Sequence, residues 1–288
     1  MTTLEITLLL LTVCAVYSFI AGLITQNYSQ VDRLWSVLPP VYVLIWAFDF
    51  GMYPLYWLTA LPVIAWGVRL TWNFARRGGY EFSWKKGFFE EDYRWPILRK
   101  KINNRFLFEL FNLLFISAFQ LILIFLFTYP VYITGLAAVN GTSIRGVHIV
   151  LSAVSLMLLV LETIADNQQF AFHERKKNSS DPEYKRLSLG FNTFGLWRFS
   201  RHPNYVCEMG QWAVVMIFAY YSSGLFHWSF ASAPVLVLLF MGSTVMAEGI
   251  TSSKYSRFAD WKKATPPWIP FIDWPLRFEK RRKFFGSL

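Results

Sequence analysis

Residues 106–129 read FLFELFNLLFISAFQLILIFLFTY, with Glu109 their single charged side chain. About 20 apolar residues in a row are what an α-helix needs to cross the roughly 30 Å hydrocarbon core of a bilayer. Working outward, similar runs precede this one at Leu4–Ile24, Leu34–Phe50 and Pro54–Trp72, and follow it at Ile144–Ala165, Tyr205–Tyr221 and Leu225–Ala247. The second and third are short and contain proline, and the sixth is also short. The expected fold is therefore an all-α, polytopic membrane helix bundle of about seven transmembrane helices, a single membrane domain over residues 1–288.

Composition agrees with that reading. Hydrophobic types make up 55% of the 288 residues and charged types 16%, and mean hydropathy is +0.34. A soluble domain carries roughly 25% charged residues. The 13 Trp suit the membrane interface, where amphipathic rings settle. Net charge is +10, which in a soluble chain would point to nucleic acid. Here the basic residues lie between apolar runs, so nucleic acid is not expected as a partner and the charge reads as topology. Cys14 and Cys207 fall in or beside apolar runs and offer neither a disulfide framework nor a metal-ligand pattern; no metal is expected. The segment Met1–Glu5 lacks the basic residues of a signal peptide, so the first run reads as a span.

Between or after the runs lie three long polar segments, Asn73–Arg105, Asp166–Asn204 and Gly249–Leu288, holding 9, 7 and 9 Lys and Arg. With Arg33 they account for 26 of the 28 basic residues, leaving Arg69 and Arg145. Seven spans put every one of these segments on one side, which the positive-inside bias makes cytoplasmic, together with the C-terminus.

An ionisable group at membrane depth costs several kcal/mol unless paired or solvated. Glu162, Asp166 and Gln169 share one helical face at the end of the fifth run, and Glu208 and Gln211 share one face at the start of the sixth. Arg69 and Glu248 stand at the ends of the third and seventh. One such residue can reach water by stretching. The set reads better as a solvated polar pocket opening to the cytoplasm.

The densest chemistry is Gly195–Glu208, GLWRFSRHPNYVCE. Gly195 permits a turn. Arg198, Arg201 and His202 bring two permanent cations and a titratable one into five residues. Pro203 disfavours helix at His202, so the next helix begins at or just after it. Cations beside a helix N-terminus suit a phosphate or carboxylate. Tyr205 and Glu208 sit on the first turn, where they can meet a ribose or amide. A basic loop touching anionic headgroups is the competing account. No GxGxxG follows a strand and no Walker sequence occurs, which excludes a soluble nucleotide-binding fold.

These stretches resemble the steroid 5-alpha-reductase-like membrane family, in its branch of uncharacterised proteins that carry the reductase C-terminal domain. The matching segments, in order, are 31–36 (VDRLWS), 69–80 (RLTWNFARRGGY), 91–95 (EDYRW), 165–169 (ADNQQ), 195–208, and a tail through Glu248, Lys254, Tyr255 and Ile269-Pro270-Phe271. SRHPNY followed by Glu belongs to a wider superfamily with sterol reductases and isoprenylcysteine and phospholipid methyltransferases. The order of all six is specific to the reductase-like branch.

The resemblance implies a helical membrane enzyme with NADPH on its cytoplasmic side, in the C-terminal half from about residue 140, and a lipidic substrate entering from the bilayer. It assigns the cofactor to Asp166, Gln169, Trp197, Arg198, Arg201, His202, Asn204, Tyr205 and Glu208, with Lys254 and Tyr255 closing over it. Arg69, Asn73 and Arg77 match the part linking cofactor and substrate chambers, and Asp32 matches an acidic residue that meets the substrate carbonyl. Two departures stand out: Val206-Cys207 replaces the usual Phe-Gly, and Trp66 falls nearest the place of the reductases' substrate-polarising Tyr.

Reduction of an activated C=C needs a hydride donor over one carbon, a group polarising the conjugated carbonyl, and a proton for the other carbon. No side chain donates hydride, so a nicotinamide is required. Asp32 (if protonated), Arg69 and Tyr80 are the candidate catalytic residues, and EDYRW would bolt its loop over the site. Two other readings compete. S-adenosylmethionine-dependent methyl transfer could use the same SRHPNY…Glu segment, and a non-catalytic lipid-binding scaffold could retain the fold. The expected location is a multi-pass membrane protein of the endoplasmic reticulum in a eukaryote or the inner membrane in a bacterium.

Overall fold

The computed structural model describes residues 1–83, 88–270 and 274–288. Phe271, from the tail stretch, and Lys85 and Lys86, from the first basic segment, lie outside the described residues. The described chain is helical apart from one antiparallel pair, β1 (Phe82–Ser83) with β2 (Phe88–Phe89). It forms two compact units: Met1–Val154 with Val214–Ala233, and Ser155–Ala213 with Pro234–Leu288.

The first unit opens with α1 (Thr3–Thr25), started by a capping box. The Thr2 hydroxyl accepts from the Glu5 N–H, and the Glu5 carboxylate accepts from the Thr2 N–H at 2.8 Å. Next come α2 (Gln30–Leu34), α3 (Leu38–Phe50) and α4 (Pro54–Ala75), with proline in the first turn of the latter two, where a missing N–H costs nothing. α3 packs on α1, α4 and α7 (Gln120–Val139). Gly67 lets α4 touch α3: a Cβ there would stand 2.1 Å from Pro40 Cγ. The core is aromatic, with Trp46 edge-on to Phe125, Tyr129 and Tyr132. After α5 (Arg94–Ile102), α6 (Arg105–Phe111) starts at Asn104, whose side chain accepts from the Leu107 N–H. It runs into a π-helix over Asn112–Phe119 that stacks Phe111, Phe115 and Phe119 at 5.0 and 5.3 Å.

The second unit draws on α8 (Gly146–Arg175), α10 (Pro203–Ser223) and α11 (Ser232–Lys254), with α9 (Tyr184–Leu187), α12 (Phe258–Ala264) and α13 (Trp274–Gly286). Its apolar cluster joins Phe191, Phe258, Trp261, Ala264 and Phe284.

Four helical stretches are long and apolar enough to cross a membrane: Thr3–Thr25, Arg105–Val139, Gly146–Arg175 and Trp228–Lys254. Three of them are largely uncovered by protein and Arg105–Val139 is about half covered; Val13, Leu114, Val160 and Val245 are all more than half exposed. Lipid is the surrounding that matches such faces. The run expected at Leu34–Phe50 is shorter as a helix, 13 residues from Leu38. α4 and α10 are long enough, but their polar residues keep them outside that apolar set. Two limits move outward. The fourth run extends to Val139 through Pro130 and Gly135, and the fifth helix continues past Ala165 to Arg175, over residues that hold no Gly or Pro. At 1.5 Å per residue its 30 residues span about 45 Å, well beyond the hydrocarbon core.

Candidate functional site

Pro203 is the first residue of α10, as its fixed φ and missing N–H favour. The preceding loop is shaped by two glycines at positive φ. Gly190 (φ +86°) lies under the Tyr255 ring, and Gly195 (φ +52°) leaves room for the Gln168 amide, whose oxygen accepts from the Leu196 N–H at 2.8 Å. A single 3₁₀ turn, Gly195–Arg198, then sets Trp197 against α8, its indole N–H donating to the Ala165 carbonyl at 3.0 Å.

α8 and α10 run antiparallel here. Asn204 donates to Asp166 at 3.3 Å at one end, and Gly210 lies against Leu158 further along. Each helix contributes polar residues at i, i+4 and i+7: Glu162, Asp166 and Gln169 on α8, Asn204, Glu208 and Gln211 on α10. That spacing makes one stripe per helix. Glu162, Asp166, Glu208 and Gln211 are all buried. Glu208 accepts from the Trp212 indole N–H at 3.1 Å. Oε1 of Gln169, Oδ1 of Asn204 and both polar atoms of Gln211 find no hydrogen-bond partner among the described residues.

In the loop before α10 the cations are organised by Glu248. Arg201 donates Nε to Glu248 Oε1 at 2.7 Å and Nη2 to Oε2 at 3.3 Å, and its Nη1 donates to the Lys262 and Thr265 carbonyls. His202 Nε2 lies 3.1 Å from the same carboxylate and Lys262 Nζ 3.0 Å. The backbone N–H groups of Arg201 and His202 donate to the Pro266 and Pro267 carbonyls. The His202 ring stacks on Tyr205, which in turn meets Phe240. Arg198 is exposed, over the Phe285 ring at 4.8 Å. Arg281 is buried and donates to the Arg198 carbonyl; burial first, then repulsion from Arg198, lowers its pKa. Lys254 is exposed, and the Tyr255 hydroxyl accepts from Lys176 at 3.1 Å.

The structure thus brings Asp166, Trp197, Arg198, Arg201, His202, Asn204, Tyr205, Glu208, Lys254, Tyr255 and Gln169 into one unit. Arg69, Asn73 and Arg77, on and just after α4, belong to the other unit, as do Asp32 and Tyr80. In that unit three of the sequence stretches are fastened together. Arg33 is buried and donates to the Gln30 side chain and to the Gly79 and Glu90 carbonyls. The Tyr28 N–H donates to Glu91 and the Asp92 N–H to the Ser29 hydroxyl. Asp32 accepts from the Trp95 indole N–H at 2.9 Å and sits 3.6 Å from Arg94. Burial raises the Asp32 pKa despite Arg94 and Trp95, which favours the protonated form. Tyr80 has its proton engaged, donating to the Arg33 carbonyl at 2.9 Å. Asn73 accepts from Arg76 on both Nε and Nη2.

Spacing along the chain did not name Glu248 as the partner of Arg201 and His202, nor Trp95 as the partner of Asp32. These pairs lie 47, 46 and 63 residues apart, and nothing local marks them. Gln211 was visible on its helix face, and only burial without a partner distinguishes it.

Comparison with protein families matches residues 18–265 to the family described as "Protein of unknown function (DUF1295)". An uncharacterised protein of Schizosaccharomyces pombe is 32% identical over 264 residues, covering 86% of this chain and 74% of that protein. No solved structure matches. The chain belongs to the DUF1295 family, itself part of the steroid 5-alpha-reductase-like group.

Proposed function

We propose that this protein is an NADPH-dependent membrane oxidoreductase that reduces an activated C=C bond of a lipidic substrate, of sterol, isoprenoid or enoyl-lipid type. In this reading the chain crosses the bilayer seven times, with α3, α4 and α10 added to the four apolar stretches. Its basic segments and C-terminus face the cytoplasm, in the endoplasmic reticulum or a bacterial inner membrane.

The observation that carries the reading is the pair of polar stripes on α8 and α10, joined by Asn204 and Asp166 and ending at a loop of cations. Each part has a matching chemistry in the cofactor. The unpartnered acceptors Asn204 Oδ1 and Gln169 Oε1 call for hydroxyl donors, as a ribose supplies. Exposed Arg198 and Lys254, together with His202, suit phosphate oxygens. Arg201 has most of its donors committed to Glu248 and two carbonyls, so its part is to hold the loop and keep His202 in place. When bound, the cofactor supplies the hydride. Burial raises the Asp32 pKa, and in its protonated form the side chain would donate to a substrate carbonyl, with Trp95 fixing its orientation. Tyr80, bonded to the Arg33 carbonyl, would position α2, which carries Asp32.

Equilibrium binding of NADPH and of S-adenosylmethionine to the purified protein tests the proposal. Binding of NADPH alone supports it. Binding of S-adenosylmethionine alone replaces it with methyl transfer, and binding of neither favours a scaffold.

A further inference from the structure

Gln211 is 1% exposed, and neither its Nε2 nor its Oε1 has a hydrogen-bond partner among the described residues. Burying one unmatched amide atom is already costly, and here two are left unmatched on one side chain. The nearest polar neighbour on its own helix, Glu208, one turn earlier, accepts from Trp212 instead. The antiparallel register of α8 and α10 sets Gln211 level with Leu158, at the apolar end of the stripe. Seven residues of helix separate it from Asn204, about 10 Å along the axis. That is the reach of a ribose and one ring beyond a phosphate held at the cation loop.

Which ligand group fits can be settled by counting donors and acceptors. A phosphate or carboxylate engages Nε2 and leaves Oε1 unmatched. A cation engages Oε1 and leaves Nε2. A single water serves both atoms only where it finds further polar partners of its own. A primary carboxamide carries one acceptor oxygen and a donor NH₂ in one plane, and meets both atoms of Gln211 edge to edge.

We propose that Gln211 is the amide-reading residue of this site, pairing with a primary carboxamide of the ligand. The inference rests on the NADPH reading above, and names the nicotinamide carboxamide as the group recognised. It also makes the ring end of the cofactor the end that lies deepest, beside the apolar part of α8 and α10.

The test uses the full-length protein in nanodiscs and three probes: NADPH, its 3-acetylpyridine analogue (a methyl ketone in place of the amide), and 2′-phospho-ADP-ribose, which lacks the ring. The unmodified protein should bind the ketone analogue about tenfold more weakly than NADPH, as loss of a buried paired amide predicts. Gln211→Leu should bind NADPH about tenfold more weakly, bind 2′-phospho-ADP-ribose unchanged, and no longer distinguish NADPH from the ketone analogue. Should Gln211→Leu not fold, the isosteric Gln211→Glu, which keeps an acceptor and loses the donor, should show the same selective loss. Equal binding of NADPH and the ketone analogue by the unmodified protein overturns the inference while leaving the cofactor reading intact. Equal weakening of all three probes by the variant does the same, since it marks a structural role. Failure of the unmodified protein to bind any probe overturns the cofactor reading and the inference together.

Discussion

Arg201 lays its Nε and Nη2 on the two oxygens of Glu248, at 2.7 and 3.3 Å, and both side chains are buried. Removing one member leaves an uncompensated charge out of water. Glu248→Leu or Arg201→Met should therefore cost about 3–5 kcal/mol of stability each. The double variant should recover part of that loss, because the apolar pair needs no partner while the Lys262 and Thr265 carbonyls still lose their donor. Thermal unfolding of the four proteins in one detergent forms the double-mutant cycle that checks this.

Arg33 reaches three different stretches with one planar fork. Lysine has the charge without the fork, so Arg33→Lys should loosen the joint at 29–33, 79 and 90–92 without unfolding the unit. Hydrogen exchange reads the outcome directly. The amides of Tyr28 and Asp92, which donate to Glu91 and Ser29, should exchange at least tenfold faster than in the parent protein.

Asp32 gives the protein a pH dependence of definite sign. Its carboxyl binds a proton more tightly folded than unfolded, since burial lifts the pKa above the ordinary 3.8. The group therefore adds stability below that value and withdraws it as pH rises through the lifted one. Asp32→Asn keeps an acceptor for Trp95 and does not titrate. The stability difference, variant minus parent, should grow from acid toward neutral pH, read as the gap between the two melting temperatures.

Two glycines in helices should respond oppositely to alanine. At Gly67 the added methyl would meet Pro40 and the Ser36 carbonyl, and Gly67→Ala should cost about 1–3 kcal/mol. At Gly242, on α11, nothing lies within 4 Å, and Gly242→Ala should be neutral or stabilising by up to about 1 kcal/mol. Denaturation midpoints of the two variants against the parent decide it.

The helical architecture could be read largely from runs of apolar residues, because lipid demands them regardless of tertiary context. The start of α10 at Pro203 was equally legible, since proline acts on its own neighbours. The polar stripes on α8 and α10 followed from helical spacing alone. Where the reading stopped short, physics of longer range was in charge. The full length of α8 depends on helix continuing after hydrophobicity ends, at residues that pattern reading assigns to a loop. The π-helix at Asn112–Phe119 leaves no mark in composition. The ion cluster on Glu248 and the Trp95–Asp32 bond join distant segments, and no local pattern specifies a partner dozens of residues away.

The cation loop is fastened to the backbone of 262–267, through the carbonyls of Lys262, Thr265, Pro266 and Pro267. A carbonyl is common to every amino acid, so these four acceptors themselves survive a change of side chain. An insertion or deletion is another matter, for it would shift every acceptor at once and strand Arg201. Relatives of this protein should accordingly keep the number of residues in that segment fixed even where its side chains differ.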